Sequence, residues 1–306
     1  MGATHHAGVP SYPKRPRHQT SRYIDRLMNT NTPQILAEGL AFPEGPAFAP
    51  DGSLWLVELK GGNLCRWSDG TLSRIPVGGE PNGIAIDAQG RVLFCDAAEC
   101  AIRRHDPATG VTETLANSLE GKPLFKPNDL AFDSAGNLIF TCPGDSRTEP
   151  TGYVAILKPD GSVARVASGF YFPNGLAFTP DGGHLVVAET RRQRLWRGRW
   201  DAVNGRWLAP RPWASVGGTI GPDGMAFAAD GRLHVAIYSG GAVKVVAADG
   251  EVEEVIAVPG ANPTNCAFDT SGRTRNLGLV VTEAENGRLF SFPALGPGAP
   301  LFPKTI

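Results

Sequence analysis

The sequence has no excess of positive charge, and this absence excludes one large class of proteins. Lys and Arg number 29 against 30 Asp and Glu, which gives a formal net charge of −1. Proteins that bind nucleic acids usually carry a basic excess, because phosphate contacts provide much of their affinity. We therefore expect no nucleic-acid partner.

Long apolar runs and paired cysteine motifs are also missing. The apolar runs have the length of a strand, so we expect no membrane-spanning segment. The N-terminus has no apolar stretch typical of a secretory signal. Five cysteines are scattered without a C-x-x-C pair: Cys65, Cys95, Cys100, Cys142 and Cys266. An odd count without a signal predicts reduced thiols and a cytoplasmic location.

Glycine and proline, by contrast, are abundant, with 38 and 26 copies in 306 residues. Helix interiors disfavour both residues, so this content predicts many turns and few long helices. Hydrophobic residues make up 42% of the chain, which is enough for a sizeable core.

An internal repeat predicts the fold. Six segments align on a turn, a short apolar run and a second turn: PEGPAFAPDG (43–52), PNGIAIDAQG (81–90), PNDLAFDSAG (127–136), PNGLAFTPDG (173–182), PDGMAFAADG (222–231) and PTNCAFDTSG (263–272). They recur at intervals of 38, 46, 46, 49 and 41 residues. This spacing is typical of the four-stranded blades of a β-propeller.

The last unit lacks a fourth strand, and QILAEG at 34–39, ahead of the first unit, predicts the missing one. We therefore predict an all-β fold: a six-bladed β-propeller with four antiparallel strands per blade, its ring closed by an N-terminal strand. The propeller is expected to span 34–295. Residues 1–33 are expected to form a partly disordered extension, and 296–306 a C-terminal tail.

The residue after each leading proline identifies a candidate site. The innermost strands of a propeller line a central channel, so these residues should surround one mouth: Glu44, Asn82, Asn128, Asn174, Asp223 and Thr264. Asn and Asp are good turn residues, so a purely structural role is an alternative, but Glu44 fits a turn poorly. Carboxylate and amide oxygens around one axis suit a hard divalent cation.

Four motifs resemble the senescence-marker-protein/gluconolactonase family, which includes regucalcin-like lactonases and shares its architecture with diisopropyl fluorophosphatase. They are F-P-E-G-P (42–46), K-P-N-D-L (126–130), F-P-N-G-L (172–176) and G-P-D-G-M (221–225). The resemblance implies that Glu44, Asn174 and Asp223 bind one divalent cation. It implies that Asn128 is a fourth ligand or a substrate contact, and that Lys126 binds substrate. Asn82 is expected in the pocket.

The resemblance also implies a metal-dependent lactonase that acts on a small molecule, with a sugar lactone as the leading substrate. The metal would polarise the carbonyl and activate water, and Asp223 could take the water's proton. Ca²⁺ is the first candidate, with Mg²⁺, Mn²⁺ or Zn²⁺ as alternatives, and the protein is expected to be a monomer or a small homo-oligomer. The alternative functions are a phosphotriesterase-like hydrolase and a non-catalytic metal- or ligand-binding propeller.

One departure from the family concerns the third blade. The second strands should end in another ring at the same mouth: Glu58, Asp96, Cys142, Glu189, Ile237 and Glu283. Some relatives carry in the third blade an Asp that is assigned an acid role in certain lactonases, where this chain has Cys142. We expect Cys142 to be a packed thiol, and Asp145 or Glu149 are the candidates to replace the missing acid.

Overall fold

The computed structural model describes residues 28–29, 32–271 and 276–302 and contains six blades, each built on four antiparallel strands. Blades 1 to 3 comprise Pro43–Phe48, Leu54–Glu58, Asn63–Ser68, Thr71–Pro76; Pro81–Ile86, Val92–Asp96, Ala101–His105, Thr112–Ala116; and Leu130–Phe132, Leu138–Cys142, Gly152–Leu157, Val163–Phe170. Blades 4 to 6 comprise Pro173–Phe178, His184–Glu189, Arg194–Asp201, Arg206–Ser215; Gly221–Phe227, Leu233–Tyr238, Ala242–Val246, Val252–Ala257; and Pro263–Phe268, Leu279–Glu283, Arg288–Phe292, Gln34–Ala37.

The ring closes as the sequence predicts. Gln34–Ala37 is the outermost strand of blade 6 and pairs antiparallel with Arg288–Phe292. The inner strand of each blade contacts the inner strand of the next, and the sixth contacts the first. This confirms the six-bladed propeller with an N-terminal closing strand.

The core consists of six apolar clusters, one between each pair of neighbouring blades. The second strand of every blade is almost entirely buried because it is covered on both faces, as in Leu54–Glu58 and Leu138–Cys142. This explains why these strands appear in the sequence as continuous apolar runs rather than as an alternating pattern. Each blade therefore depends on both neighbours for its stability.

The inner strands form matching layers along the channel. Three residues beyond each predicted site residue stands an alanine: Ala47, Ala85, Ala131, Ala177, Ala226 and Ala267. All six line the channel, where a small side chain lets the strands converge. The next residue is Phe in five blades and Ile86 in blade 2.

Elements outside the blades are few in the described residues. Met28–Asn29 pairs in parallel with the outer strand of blade 5, and Ser118–Leu119 forms a small hairpin with Lys122–Pro123. Thr190–Arg192 is a 3₁₀ turn. The rest of the predicted 1–33 extension lies largely outside the described residues. Within the described ranges, no helix has the length and apolar character needed to span a bilayer.

Candidate functional site

The predicted site residues lie at the beginnings of the inner strands and therefore surround one mouth of the channel. Five inner strands carry a proline at or next to their first residue, as at Pro43 and Pro173. The inner strand is the edge of its sheet, where a missing N–H costs least. Each proline fixes the backbone immediately before a site residue, and Glu44, Asn82, Asn174 and Asp223 are all buried.

Glycines after these residues bring neighbouring strands into contact. A side chain on Gly83 would collide with the Asp129 carboxylate, and one on Gly175 would collide with the backbone carbonyl of Asp223. The Gly83 N–H donates to the Asn128 carbonyl at 2.8 Å. The mouth is consequently narrow, and side chains from different blades meet there.

Three carboxylates interact at this mouth: Glu44, Asp129 and Asp223. Burial raises the pKa of Glu44 to about 8; the Gly45 N–H opposes this shift and the charge of Asp129 adds to it. Burial, followed by the charges of Glu44 and Asp129, raises the pKa of Asp223 well above its usual value. Burial also raises the pKa of Asp129 to about 7. No basic side chain is among the main influences on these three groups, so their charge is not balanced within the site.

This chemistry fits a hard divalent cation. Buried carboxylates without a counter-charge are unfavourable, and a cation would neutralise them. The Nδ2 of Asn174 donates to the Thr190 hydroxyl at 3.2 Å, which leaves Oδ1 as a possible ligand. The amides of Asn82 and Asn128 make no hydrogen bond with another described residue. No three Asp, Glu, His or Cys side chains in the described ranges are arranged to hold a metal by themselves, so a cation bound here would also require amide oxygens.

The sixth ring position is structural. The Thr264 hydroxyl donates to the carbonyl of Pro43 at 2.8 Å and contacts the Thr282 hydroxyl at the same distance. It thus links blade 6 to blade 1 beside Glu44 instead of offering a ligand. Thr190 forms a similar link to the carbonyl of Pro222 at 2.7 Å.

Residues 42–285 match the family described as "SMP-30/Gluconolactonase/LRE-like region". The chain belongs to this family. This confirms the resemblance carried by the four motifs, all of which lie in the matched range.

Several named relatives of this SMP-30/gluconolactonase protein are hydrolases. It is 28% identical over 287 residues to the gluconolactonase of Zymomonas mobilis, covering 82% of this chain and 80% of the relative. It is 28% identical over 289 residues to the diisopropyl-fluorophosphatase of Loligo vulgaris, covering 84% and 90%. The solved structure of XC5397, a gluconolactonase from Xanthomonas campestris, is 30% identical, with a TM-score of 0.74 and coverage of 84% and 88%.

Two of the residues at the mouth of this family member were missed by the sequence analysis: Asp129 and Asn265. Both are buried, and both follow a ring residue. Four blades have glycine at this position: Gly45, Gly83, Gly175 and Gly224. An alignment of the position after each ring residue would have revealed the two exceptions.

The predicted second ring holds loops in place. Its acids accept backbone N–H groups from the segment that leads into the inner strand, with Glu58 accepting from Ala41 at 3.2 Å and Glu189 from Tyr171 at 2.9 Å. Asp96 and Glu283 act in the same way in blades 2 and 6. Three of these acids are also ion-paired: Glu58 with Arg74, Asp96 with Arg103 and Glu189 with Arg194.

Blade 3 replaces this acid with Cys142 and a tyrosine. The Phe125 N–H donates to the Tyr153 hydroxyl at 3.0 Å, so Tyr153 takes over the anchoring function. Cys142 lies fully buried in the cluster between blades 2 and 3. Burial raises the pKa of its thiol to about 12, which leaves it protonated and a poor nucleophile. The position that we expected to carry an acid in relatives is, in this chain, part of the core.

The remaining predicted contacts lie at the outer edge of the mouth. Lys126 is exposed, and its Nζ lies 3.2 Å from Asp145. Glu149 is exposed on the same loop of blade 3. Aromatic side chains stand beside the site, with Phe42 6.4 Å from Tyr238 between ring centroids and the Arg147 guanidinium 5.6 Å from the centre of the Phe172 ring. The mouth therefore combines a polar, acidic floor with a partly aromatic wall.

The channel below the site is mostly apolar. It encloses a cavity of about 140 Å³. Asp129 and Asn265 line it on the side of the site, and Ala299 to Phe302 line it on the other. The Ala299 N–H donates to the Phe227 carbonyl at 2.9 Å, so this part of the predicted C-terminal tail is attached to blade 5.

Proposed function

We propose that this protein is a divalent-metal-dependent hydrolase of small lactones, with a sugar lactone as the leading substrate. Glu44, Asn174, Asp223 and Asn128 would hold the cation, with Ca²⁺ as the first candidate. The observation that carries the proposal is the cluster of buried carboxylates without a basic partner at one channel mouth. The lactonases among the relatives support the reaction class.

The chain's own residues suit lactone hydrolysis. When bound, a divalent cation supplies Lewis-acid polarisation of a carbonyl and favours ionisation of water. Asp223 is the candidate proton acceptor, because its carboxylate is held at the centre of the site beside Asn174. Asn82 and Asn128 offer amide groups without partners in the described chain, which suits them to bind substrate hydroxyl groups. Lys126 can reach an oxygen at the edge of the mouth.

A second candidate is phosphotriester hydrolysis at the same site. The aromatic groups at Phe42, Tyr171 and Phe172 favour a less polar substrate than a sugar. The Loligo relative, named for its action on a fluorophosphate, is aligned over 90% of its length. We further propose that the protein acts in the cytoplasm, which its five free thiols support, and that it is a monomer or a small homo-oligomer.

The test is a substrate panel with metal-stripped protein. Sugar lactones, alkyl lactones and phosphotriesters are each assayed after adding Ca²⁺, Mg²⁺, Mn²⁺ or Zn²⁺. We expect lactone hydrolysis that disappears with chelator and returns with one of these ions. Hydrolysis that persists in chelator would contradict the metal-dependent mechanism. Metal binding without turnover of any substrate would favour a binding propeller.

A further inference from the structure

Asp129 and Asn265 are equivalent residues on opposite blades. The Leu130 N–H donates to Oδ1 of Asp129 at 2.8 Å, and the Cys266 N–H donates to Oδ1 of Asn265 at the same distance. Their own N–H groups donate to threonine hydroxyls, at 3.2 Å to Thr141 and 3.1 Å to Thr282. The two residues are therefore anchored by matching hydrogen bonds, three blades apart in a ring of six.

The surrounding glycines make room for this pair. A side chain on Gly83 would collide with Asp129, and a side chain on Gly224 would collide with Asn265. Each of the two residues thus extends over the inner strand of a neighbouring blade and into the channel. Both line the mostly apolar cavity, so they stand where the acidic mouth meets the channel.

The direction of the Asn265 amide follows from its anchoring. Because Oδ1 accepts the Cys266 N–H, the donor Nδ2 is the atom left to face the channel. Hydrogen bonding by the Asn265 side chain lowers the pKa of both Glu44 and Asp129, which opposes the effect of their burial. Geometry places this amide near both acids: the preceding residue, Thr264, bonds to the carbonyl of Pro43 next to Glu44, and Asn265 and Asp129 line the same narrow cavity.

We propose that Asn265 is a positioning residue of the cation site, whose amide holds the carboxylates of Glu44 and Asp129 in the arrangement that a divalent cation requires. This inference rests on the proposed function. The amide is neutral and is a donor, whereas Asp at this position would keep the shape and place a fourth carboxylate opposite Asp129. Because one of the two matching positions has Asn where the other has Asp, the pair adds only one negative charge to the site.

The first test measures cation binding directly. Metal-stripped full-length protein is titrated calorimetrically with CaCl₂, and Asn265→Ala is compared with the parent. We expect the dissociation constant to rise about 10–100-fold, the usual effect of losing a residue that orients metal ligands. Asn265→Ser serves if the alanine variant does not fold, because a serine hydroxyl can still accept the Cys266 N–H but is too short to serve both carboxylates.

The matched control is Asn137→Ala. Asn137 is also a buried Asn whose Nδ2 donates to an aspartate, Asp133, at 2.8 Å, but it lies in a blade hairpin away from the site. We expect this variant to be less stable and to bind Ca²⁺ like the parent. A weakening of binding as large in Asn137→Ala as in Asn265→Ala, or no weakening in Asn265→Ala, would overturn the inference.

Asn265→Asp tests the need for a neutral group. Without metal, we expect it to unfold at a lower temperature than the parent, since four carboxylates would face one another. If the melting temperature is unchanged, the side chain at position 265 does not lie close to the carboxylates, and the inference is wrong. If the parent itself binds none of the four divalent ions, the proposed function fails together with this inference. If the parent binds Ca²⁺ and Asn265→Ala binds equally well, only this inference fails.

Discussion

Two sets of buried acids lie at the same mouth of the propeller and differ in one respect. The inner set is Glu44, Asp129 and Asp223, and the outer set is Glu58, Asp96 and Glu189. The inner side chains are 5–8% exposed and the outer ones 0–3%, so burial does not distinguish them. Each outer acid has an arginine within 2.7–2.9 Å. No basic side chain is a main influence on an inner acid.

The difference separates two uses of a buried charge. The outer acids are neutralised by the chain itself and tie loops to the blades, so they stabilise the fold. The inner acids repel one another, and their burial opposes folding unless a cation enters from solution. Acids of equal burial thus indicate a site only where the chain provides no counter-charge.

The largest expected effect is that of Asp223→Asn. Loss of this carboxylate should lower metal-dependent turnover by about 10²–10⁴-fold, as for the loss of a proton-transfer group. The metal-free variant should also melt at a higher temperature than the parent, because folding no longer has to bury or protonate this carboxylate beside two others. Turnover and differential scanning calorimetry measure the two effects. Asp249→Asn, on an exposed turn, is the control. If Asp223→Asn keeps wild-type activity, Asp223 has only a structural role in the turn.

Removing a charge from the outer set should destabilise the protein, whereas removing one from the inner set should stabilise the metal-free protein. Glu189 accepts hydrogen bonds from Tyr171 N at 2.9 Å and from Arg194 and Trp196 at 2.7 Å each. Glu189→Gln weakens these bonds and should lower the free energy of unfolding by about 1.5–3 kcal/mol. Denaturant unfolding measures this change, and calorimetric titration should show Ca²⁺ binding close to that of the parent. If a folded Glu189→Gln variant loses Ca²⁺ binding, the outer acids also contribute to the cation site and the distinction between the two sets is wrong.

A smaller effect concerns the pH dependence of the stability that the outer acids contribute. Burial opposes ionisation of Glu58, but hydrogen bonds from Arg74, Asn63 and Ala41 outweigh it and hold the pKa of Glu58 below its usual value. A lowered folded-state pKa stabilises the protein above the unfolded value and loses this effect as the pH falls through the folded value. Glu58→Gln should therefore be less stable than the parent near pH 7, and the difference should shrink below about pH 4. Melting temperatures across pH measure this, with exposed Glu253→Gln expected to match the parent throughout. A pH-independent difference would contradict the assignment.

The smallest expected effect concerns the position where blade 3 lacks an acid. Cys142→Ala should leave turnover close to that of the parent, because the thiol is buried and protonated and is not among the proposed catalytic or ligand groups. The lost packing should lower the free energy of unfolding by about 1 kcal/mol. Steady-state kinetics and denaturant unfolding measure the two quantities. A collapse of turnover in a stable variant would show that the Cys142 thiol takes part in the reaction.

The fold could be predicted from sequence because its determinants are local and repeated. Six turn motifs mark the blades, and the missing last strand indicates that residues 34–39 close the ring. One repeat position identifies six candidate residues, and the resemblance to the family selects Glu44, Asn174 and Asp223 among them. Their assignment as cation ligands stays a prediction.

The rest depends on contacts between strands that are separated along the chain, either within a blade or between blades. The sequence does not show that Thr264 turns towards the carbonyl of Pro43, or that Arg74 neutralises Glu58 across a blade. Asp129 could be recognised only by comparison with the glycines of four other blades. Cys142 seemed to be a lost acid because its neighbour Tyr153, which takes over the anchoring, stands on the next strand.

The closing strand has a consequence for how the chain is made. Gln34–Ala37 leaves the ribosome before any blade, but its partner Arg288–Phe292 is among the last segments synthesised. Until then the face of blade 1 that packs against blade 6 stays uncovered, with Leu54 and Leu56 among its apolar groups. Contacts between such distant segments form slowly, and exposed strand edges favour aggregation. A chain that stops before residue 288 is therefore not a smaller propeller but an open ring whose first and last blades both lack a neighbour.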